Sequence, residues 1–95
     1  YDQDPRYSPD GKKLYWLSME RAGYESDKNR LMCYDFDKKE KYEITAALDR
    51  TVENFCINPK GETIYFTAVN EGTKQIYSYD VKKKKIKQKV LLEIN

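Results

Sequence analysis

Histidine is absent from the 95-residue sequence, and other residue types that carry chemistry are scarce. Without histidine, neither a Ser-His-Asp triad nor a Cys-His pair can exist within the chain. The sequence also has no Gly-x-Ser-x-Gly motif, and its two cysteines are too few for a structural zinc site. We therefore expect no catalytic residue, no metal site and no cofactor in this chain.

Long apolar runs are missing as well, so the sequence predicts no membrane span. Hydrophobic residues make up 39% of the chain and include 9 tyrosines, which leaves little aliphatic content for a self-sufficient core. The chain begins at Tyr1 without an initiator Met or a leader-like segment. We interpret it as a piece of a larger protein.

The net charge of +2 gives no reason to expect a nucleic-acid partner. One run, Lys82-Lys83-Lys84-Lys85, is strongly basic, but it lies between two strand-like segments where the first half of the chain has Asp37-Lys38-Lys39-Glu40. This placement favours a solvated hairpin tip over a polyanion contact.

A short pattern occurs twice, 50 residues apart. Ser8-Pro9-Asp10-Gly11 precedes the apolar run that starts at Leu14, and Asn58-Pro59-Lys60-Gly61 precedes the one that starts at Ile64. Such a period is typical of repeat architectures, in which one unit must stack on its neighbours to bury its faces. Two units are expected to need further neighbours.

Each repeat is predicted to contain four β-strands. Pro and Gly provide a turn after a short extended stretch, and β-branched and aromatic residues follow. The predicted strands are residues 4–7, 14–18, 30–35 and 41–45 in the first repeat, and residues 54–57, 63–68, 75–80 and 85–90 in the second. No apolar stripe with helical spacing is sustained over three turns. The predicted fold is all-β, with two four-stranded antiparallel blades of a β-propeller, at residues 1–45 and 46–95.

Successive apolar positions in the second strands predict burial on both faces. The expected interior residues are Leu14, Trp16, Phe55, Ile64, Phe66 and Ile76. The two cysteines, Cys33 and Cys56, are interpreted as small buried residues, with a disulfide or a reactive thiol as the alternative.

The first repeat has five more residues than the second between its second and third strands, which predicts an inserted loop at residues 19–28. In an up-and-down sheet this loop lies at the same end as the connection between the blades. We call the resulting predicted cluster the rim; its residues are Glu20, Arg21, Tyr24, Glu25, Asp27, Asp49 and Arg50. The rim either contacts a substrate or a neighbouring domain, or forms an internal salt-bridge network.

The run Ser8-Pro9-Asp10-Gly11-Lys12-Lys13-Leu14 resembles the WD-related repeat of TolB-like proteins and of prolyl oligopeptidase-family serine peptidases. The text from Leu17 to Leu31 and the segment Asp49-Arg50-Thr51-Val52-Glu53-Asn54-Phe55 are similar to the dipeptidyl peptidase IV and acylaminoacyl peptidase branch, especially Gram-negative members. The resemblance covers about residues 4–90. The second repeat departs from it, with Asn58 and Lys60 where the motif has Ser and Asp.

This resemblance implies a parent protein with further blades and a C-terminal α/β-hydrolase domain, in the periplasm or the cytoplasm. The parent would hydrolyse short peptides, while the propeller restricts access and docks the catalytic domain. No adjacent Glu-Glu pair is present, so the amine-holding role of that pair in some relatives does not carry over.

Two other functions remain open at this point: a TolB-like interaction platform, and a propeller that binds a sugar or a polyanion. Truncation to two blades leaves blade faces uncovered, so self-association of the chain, by face packing or by exchange of a strand around residues 90–94, is also expected.

Overall fold

The computed structural model describes residues 2–20, 28–48, 50–70 and 72–88, and these form eight β-strands. The first four strands are Asp2–Tyr7 (β1), Lys13–Glu20 (β2), Lys28–Asp35 (β3) and Glu40–Glu43 (β4). The second four are Thr51–Ile57 (β5), Thr63–Asn70 (β6), Thr73–Asp80 (β7) and Lys85–Gln88 (β8). The described ranges contain no helix.

The strands form two antiparallel sheets with the orders β1-β2-β3-β4 and β5-β6-β7-β8. We call these sheets blade 1 and blade 2. Neighbouring strands in each blade are consecutive in the chain, so each blade is a simple meander. The prediction of an all-β fold with two four-stranded antiparallel blades is confirmed.

The Pro-x-Gly segments form the β1–β2 and β5–β6 turns. Gly11 and Gly61 both have φ of 73°, the left-handed region that glycine adopts without strain. Their amides donate to the carbonyls of Ser8 and Asn58, at 2.9 and 2.8 Å. The side chains at positions 8 and 58 also accept backbone N–H groups, so Asn58 takes over the role of Ser8 in the second repeat.

The β3–β4 and β7–β8 turns also match each other, at an offset of 45 residues. Asp35 Oδ1 accepts the backbone N–H groups of residues 37 and 38, and Asp80 Oδ1 accepts those of residues 82 and 83. Asp35 pairs with Lys13 and Asp80 with Thr63 in the sheets. The structure thus places the two Tyr-Asp pairs at equivalent positions, as the sequence predicts.

The change from a 50-residue to a 45-residue offset falls between the second and third strands. Glu20 pairs with Lys28 across the connection 21–27, whereas Asn70 pairs with Thr73 across residues 71 and 72. The strands are longer than predicted, since β2 continues through Glu20 and β3 begins at Lys28. Residues 19, 20 and 28 of the predicted 19–28 loop therefore lie in strands, and residues 21–27 are not among the described residues.

The core lies between the two blades. Blade 1 contributes residues at odd positions of β2 and β3, and blade 2 contributes residues at even positions of β6. The largest fully buried side chains are Tyr15, Leu31, Cys33, Thr45, Val52, Ile64 and Phe66. Consecutive blades therefore use opposite faces of equivalent strands for this shared interface.

Three of the six predicted interior residues, Phe55, Ile64 and Phe66, are buried. The predictions for the other three are wrong: Leu14 and Trp16 are half-buried, and Ile76 is 38% exposed. The reason is geometric, because these three point away from the single interface that two blades can form.

Both cysteines were predicted to be buried. Cys33 is buried, but the prediction for Cys56 is wrong: it is exposed, because its side chain points away from the interface between the blades. Both thiols are free, so the alternative of a disulfide between them is not seen.

Candidate functional site

The candidate rim lies at the loop end of the blades, which we define as the end that carries the β2–β3 and β4–β5 connections. The backbone N–H of Asn29, at the start of β3, donates to Thr51 Oγ1 at the start of β5, at 2.9 Å. This hydrogen bond brings the base of the inserted connection next to the junction between the blades. It is the geometry on which the rim hypothesis depends.

Most of the rim itself falls outside the described residues. This holds for Arg21, Tyr24, Glu25, Asp27 and Asp49. Glu20 is described only as the last residue of β2. Arg50 is half-buried and precedes β5, and it makes no ion pair with another described residue. The choice between an external contact and an internal network therefore stays a prediction.

A polar cluster beside the rim was not predicted from the sequence. Thr45 is fully buried, accepts the N–H of Leu31 at 3.2 Å, and donates to Glu43 Oε2 at 3.4 Å. Glu43 Oε1 is also 3.4 Å from Arg30 Nη1. These bonds continue the contact between β3 and the chain after Glu43, the last residue of β4. They stabilise the start of the connection between the blades. The signal in the sequence is only a Glu-Ile-Thr end to an amphipathic strand, which is not specific.

The first strands of the two blades meet through Arg6 and Phe55. The Arg6 guanidinium carbon lies 5.4 Å from the centre of the Phe55 ring, and Arg6 Nε is 3.3 Å from Asp4 Oδ1. A cation–π contact of this kind places a charged side chain favourably over an aromatic ring. Arg6 therefore caps the core where β1 and β5 approach each other.

Both first strands are irregular at this place. The pairing of β1 with β2 shifts between Gln3 and Arg6, and that of β5 with β6 shifts between Val52 and Asn54. Asp4 has φ of 58°, which is uncommon for a residue other than glycine. Bulges of this type bend a strand and redirect its side chains.

The centre of the interface contains hydroxyl and thiol groups within apolar surroundings. Burial raises the pKa of the phenols of Tyr15, Tyr42 and Tyr79 and of the Cys33 thiol above their ordinary values. All four groups are thus protonated at neutral pH, and Cys33 is unsuited to act as a nucleophile.

The hydroxyls of Tyr15 and Tyr42 make no well-aligned hydrogen bond with another described residue, although the Cys33 thiol is a polar neighbour of both. This cluster can pack the blades together but offers no acid–base or nucleophilic chemistry.

The opposite end of the blades, the turn end, carries the β1–β2 and β3–β4 turns and their counterparts in blade 2. A small cavity of about 40 Å³ between the blades is lined by Ser8, Asp10, Lys13, Tyr15 and Gly61, among others. The Asp10 carboxylate accepts hydrogen bonds from Ser8 Oγ and the Lys12 amide, which lower its pKa. These bonds explain the Asp of the turn motif as a structural element of the turn.

No group of three potential metal ligands occurs among the described residues. The described part of the chain also holds no helix with the length and apolar character that a bilayer crossing requires.

The fold places the chain in a known class. Over 93% of its length it superimposes on the crystal structure of TolB from Acinetobacter baumannii, with a TM-score of 0.60 and 23% sequence identity, and it covers 21% of that chain. The chain is a two-blade segment of a β-propeller.

Sequence comparison identifies the kind of propeller. The chain is 38% identical to dipeptidyl-peptidase 5 of Porphyromonas gingivalis and 42% identical to that of Porphyromonas endodontalis, each over 88 residues. A shorter match, 38% over 47 residues, is found in dipeptidyl-peptidase 5 of Schizosaccharomyces pombe. No family model matches the chain.

The two Porphyromonas matches cover 93% of this chain but only 13% of those proteins. The chain is a propeller segment homologous to part of dipeptidyl-peptidase 5, and it spans about an eighth of the length of these relatives.

Proposed function

We propose that this chain contributes two blades to the propeller domain of a serine peptidase of the prolyl oligopeptidase family that hydrolyses short peptides. The observation that carries the proposal is the continuous similarity of nearly the whole chain to proteins named dipeptidyl-peptidase 5. Because the chain has no histidine, the catalytic triad belongs to another part of the parent protein.

In this proposal the two blades act by position. Propeller blades surround a central channel. In the proposed arrangement this channel is lined by β1 and β5, which are in contact at Arg6 and Phe55. A rigid edge of this kind restricts the size of the peptides that reach a catalytic chamber. The rim at the loop end serves as the contact with the catalytic α/β-hydrolase domain or with the peptide.

Expression of the complete reading frame tests the activity. The full-length protein is expected to release a chromophore from a dipeptidyl substrate and to lose this activity after treatment with a serine-directed organophosphate. The 95-residue chain alone is expected to be inactive. A full-length protein that folds but does not hydrolyse such substrates would instead support the TolB-like interaction platform.

A pair of variants of the full-length protein tests the role of the rim. Arg50→Ala is expected to lower kcat/KM for a short peptide several-fold without changing Tm, because it removes a contact and no core packing. Lys12→Ala, which removes a cation from an exposed turn at the opposite end, is the control and is expected to leave kcat/KM unchanged. Equal activity of both variants and the wild type would contradict a contact role for Arg50.

A further inference from the structure

The two blades present different chemistry on equivalent faces. The face of blade 1 that packs against blade 2 contains a row formed by Tyr15, Cys33 and Tyr42. The equivalent row in blade 2 is formed by Tyr65, Ser78 and Lys87, and it points away from blade 1. An apolar, aromatic row in one blade is thus replaced by a more polar row that ends in a cation in the other.

The adjacent row shows the same change in charge. Glu40 begins β4 opposite Asp35, whereas Lys85 begins β8 opposite Asp80. As a result, the fourth strand of blade 2 has two lysines where the fourth strand of blade 1 has a carboxylate and a phenol. Lys83, Lys85 and Lys87 line one open groove of about 350 Å³ on this face.

The carboxylate in this groove does not balance the three ammonium groups. Asp80 Oδ1 accepts the backbone N–H groups of Lys82 and Lys83, at 3.0 and 2.9 Å. Within the described residues, none of the three groove lysines forms an ion pair. We call this surface, formed by Thr63, Ser78, Asp80, Lys83, Lys85 and Lys87, the cationic face.

The existing interface shows which positions of a neighbouring blade would lie over Lys87. Its counterpart in blade 1, Tyr42, is covered by blade 2: Lys84 Nζ lies 4.8 Å from the centre of the Tyr42 ring, and the Tyr79 hydroxyl is a further neighbour. A cation suits an aromatic ring at this place. Over Lys87 the same cation would be repelled.

We propose that the cationic face is covered in the full-length protein by a further blade that supplies Asp or Glu side chains at the positions equivalent to Tyr79 or Lys84. The proposal rests on the propeller fold and on the parent being longer than this chain, and it does not depend on peptidase activity. An amine buried in an interface without a partner is costly, whereas a paired one is tolerated. The covering surface therefore has to be acidic.

A second copy of this chain fits the cationic face poorly. Lys39 is the equivalent of Lys84 in blade 1, with φ of 54° against 56°. Stacking of a second blade 1 on blade 2 would therefore place Lys39 against Lys87. Like charges in such an arrangement disfavour the copy as occupant.

Zero-length carbodiimide cross-linking of the wild-type full-length protein tests the proposal directly. Lys85 or Lys87 is expected to be joined to an Asp or Glu outside the 95 residues, in the repeat that follows. Lys12, at an exposed turn next to Asp10, is the control for an exposed lysine outside the cationic face, and any cross-link it forms is expected to stay within the 95 residues. The proposal is overturned if Lys85 and Lys87 are joined only to residues within this chain or to no residue at all. A cross-link between isotopically distinct copies would identify a second copy as the occupant and would overturn it equally.

Substitution gives an independent measurement. Lys87→Gln removes the charge, and Lys87→Glu reverses it against the same surroundings. Opposite an acidic partner, the Tm of the Glu variant is expected to be at least about 3 °C below that of the Gln variant. A Glu variant as stable as the Gln variant, or more stable, overturns the proposal. If neither variant folds, the cross-linking result decides.

Discussion

Leu31 and Ile76 occupy equivalent positions in the two blades but have opposite environments, which makes them a matched pair for mutation. Leu31 pairs with Leu17 in β2 and is 0% exposed, since it faces blade 2. Ile76 pairs with Thr67, the counterpart of Leu17, and is 38% exposed on the outward face. We compare the cost of truncating each side chain to alanine.

Leu31→Ala removes buried methyl and methylene groups and leaves a cavity between two sheets. Substitutions of this type cost about 2–5 kcal/mol, so we expect a loss of about 3 kcal/mol in the free energy of unfolding. Ile76→Ala removes a similar number of atoms from a surface that is already open. No enclosed cavity forms, and the part of the side chain that is buried limits the cost to about 1 kcal/mol.

Urea denaturation of the 95-residue chain, followed by tryptophan fluorescence, measures both costs. Trp16, in β2 of blade 1, is the single tryptophan, so the same probe follows unfolding in all variants. The midpoints should fall with unchanged m-values if the native and denatured states keep their compactness. Equal costs for the two variants, or a larger cost for Ile76→Ala, would refute the assignment of inward and outward faces. In the full-length protein both costs should approach 3 kcal/mol, because a further blade would cover Ile76.

Three further predictions concern the turns, the acid stability and the association of the chain. Gly11→Ala and Gly61→Ala both introduce a Cβ at φ of 73°. Only at Gly61 would this atom lie 2.9 Å from Pro9 Cδ, so Gly61→Ala is expected to lower the Tm, measured by thermal denaturation, more than Gly11→Ala does. Hydrogen bonds from backbone N–H groups lower the pKa of Asp35, and a hydrogen bond from the Ser8 hydroxyl lowers the pKa of Asp10. The two carboxylates therefore stabilise the folded state above their unfolded pKa near 4, and this stabilisation is lost as the pH falls below that value. The Tm of the wild type should accordingly drop more steeply between pH 5 and pH 3 than that of an Asp10→Asn, Asp35→Asn double variant, and parallel curves would contradict the assignment. Finally, Tyr7 and Phe36 are 64% and 42% exposed and stack on each other on the outward face of blade 1. We expect the isolated chain to self-associate through this face. In sedimentation, a Tyr7→Ser, Phe36→Ser variant should be a smaller species than the wild type at the same concentration.

The repeat pattern predicted the architecture because its turns are encoded locally. Gly11 and Gly61 adopt the positive φ that the Pro-x-Gly spacing indicates, and the side chains of Ser8 and Asn58 close the turns. The strands then follow from runs of aromatic, aliphatic and β-branched residues between fixed turns. The length difference between the repeats also located the five extra residues between β2 and β3.

The direction in which each strand faces was not predictable from the same signals. Trp16 and Tyr15 are adjacent, both are aromatic, and only Tyr15 is fully buried. Burial on both faces is the sequence signature of a blade in a complete ring, and it does not identify which face meets the other blade of a pair. The exposure of Ile76 and Cys56 has the same origin, because the sequence of an isolated segment describes interfaces that lie partly outside it.

The rim could be predicted only as a location. Strand order places the inserted connection beside the junction of the blades, and the hydrogen bond from Asn29 to Thr51 shows this proximity. The chemistry of the rim depends on side-chain orientations in residues 21–27 and at Asp49, which no local pattern specifies.

Comparison of the two blades shows how an almost symmetrical repeat acquires specific neighbours. The turns match in detail: Asp35 and Asp80 bind the same backbone groups, and Lys39 and Lys84 share a left-handed conformation. The faces do not match, since Tyr42 is replaced by Lys87 at equivalent register.

Turn residues must satisfy the backbone of their own blade, so they are constrained to be alike in every repeat. Face residues must satisfy the next blade, so a change on one face demands a complementary change on the blade that covers it. With the proposed acidic cover, the pair formed at Lys87 would favour one neighbouring blade over the others, which a set of identical apolar faces could not do.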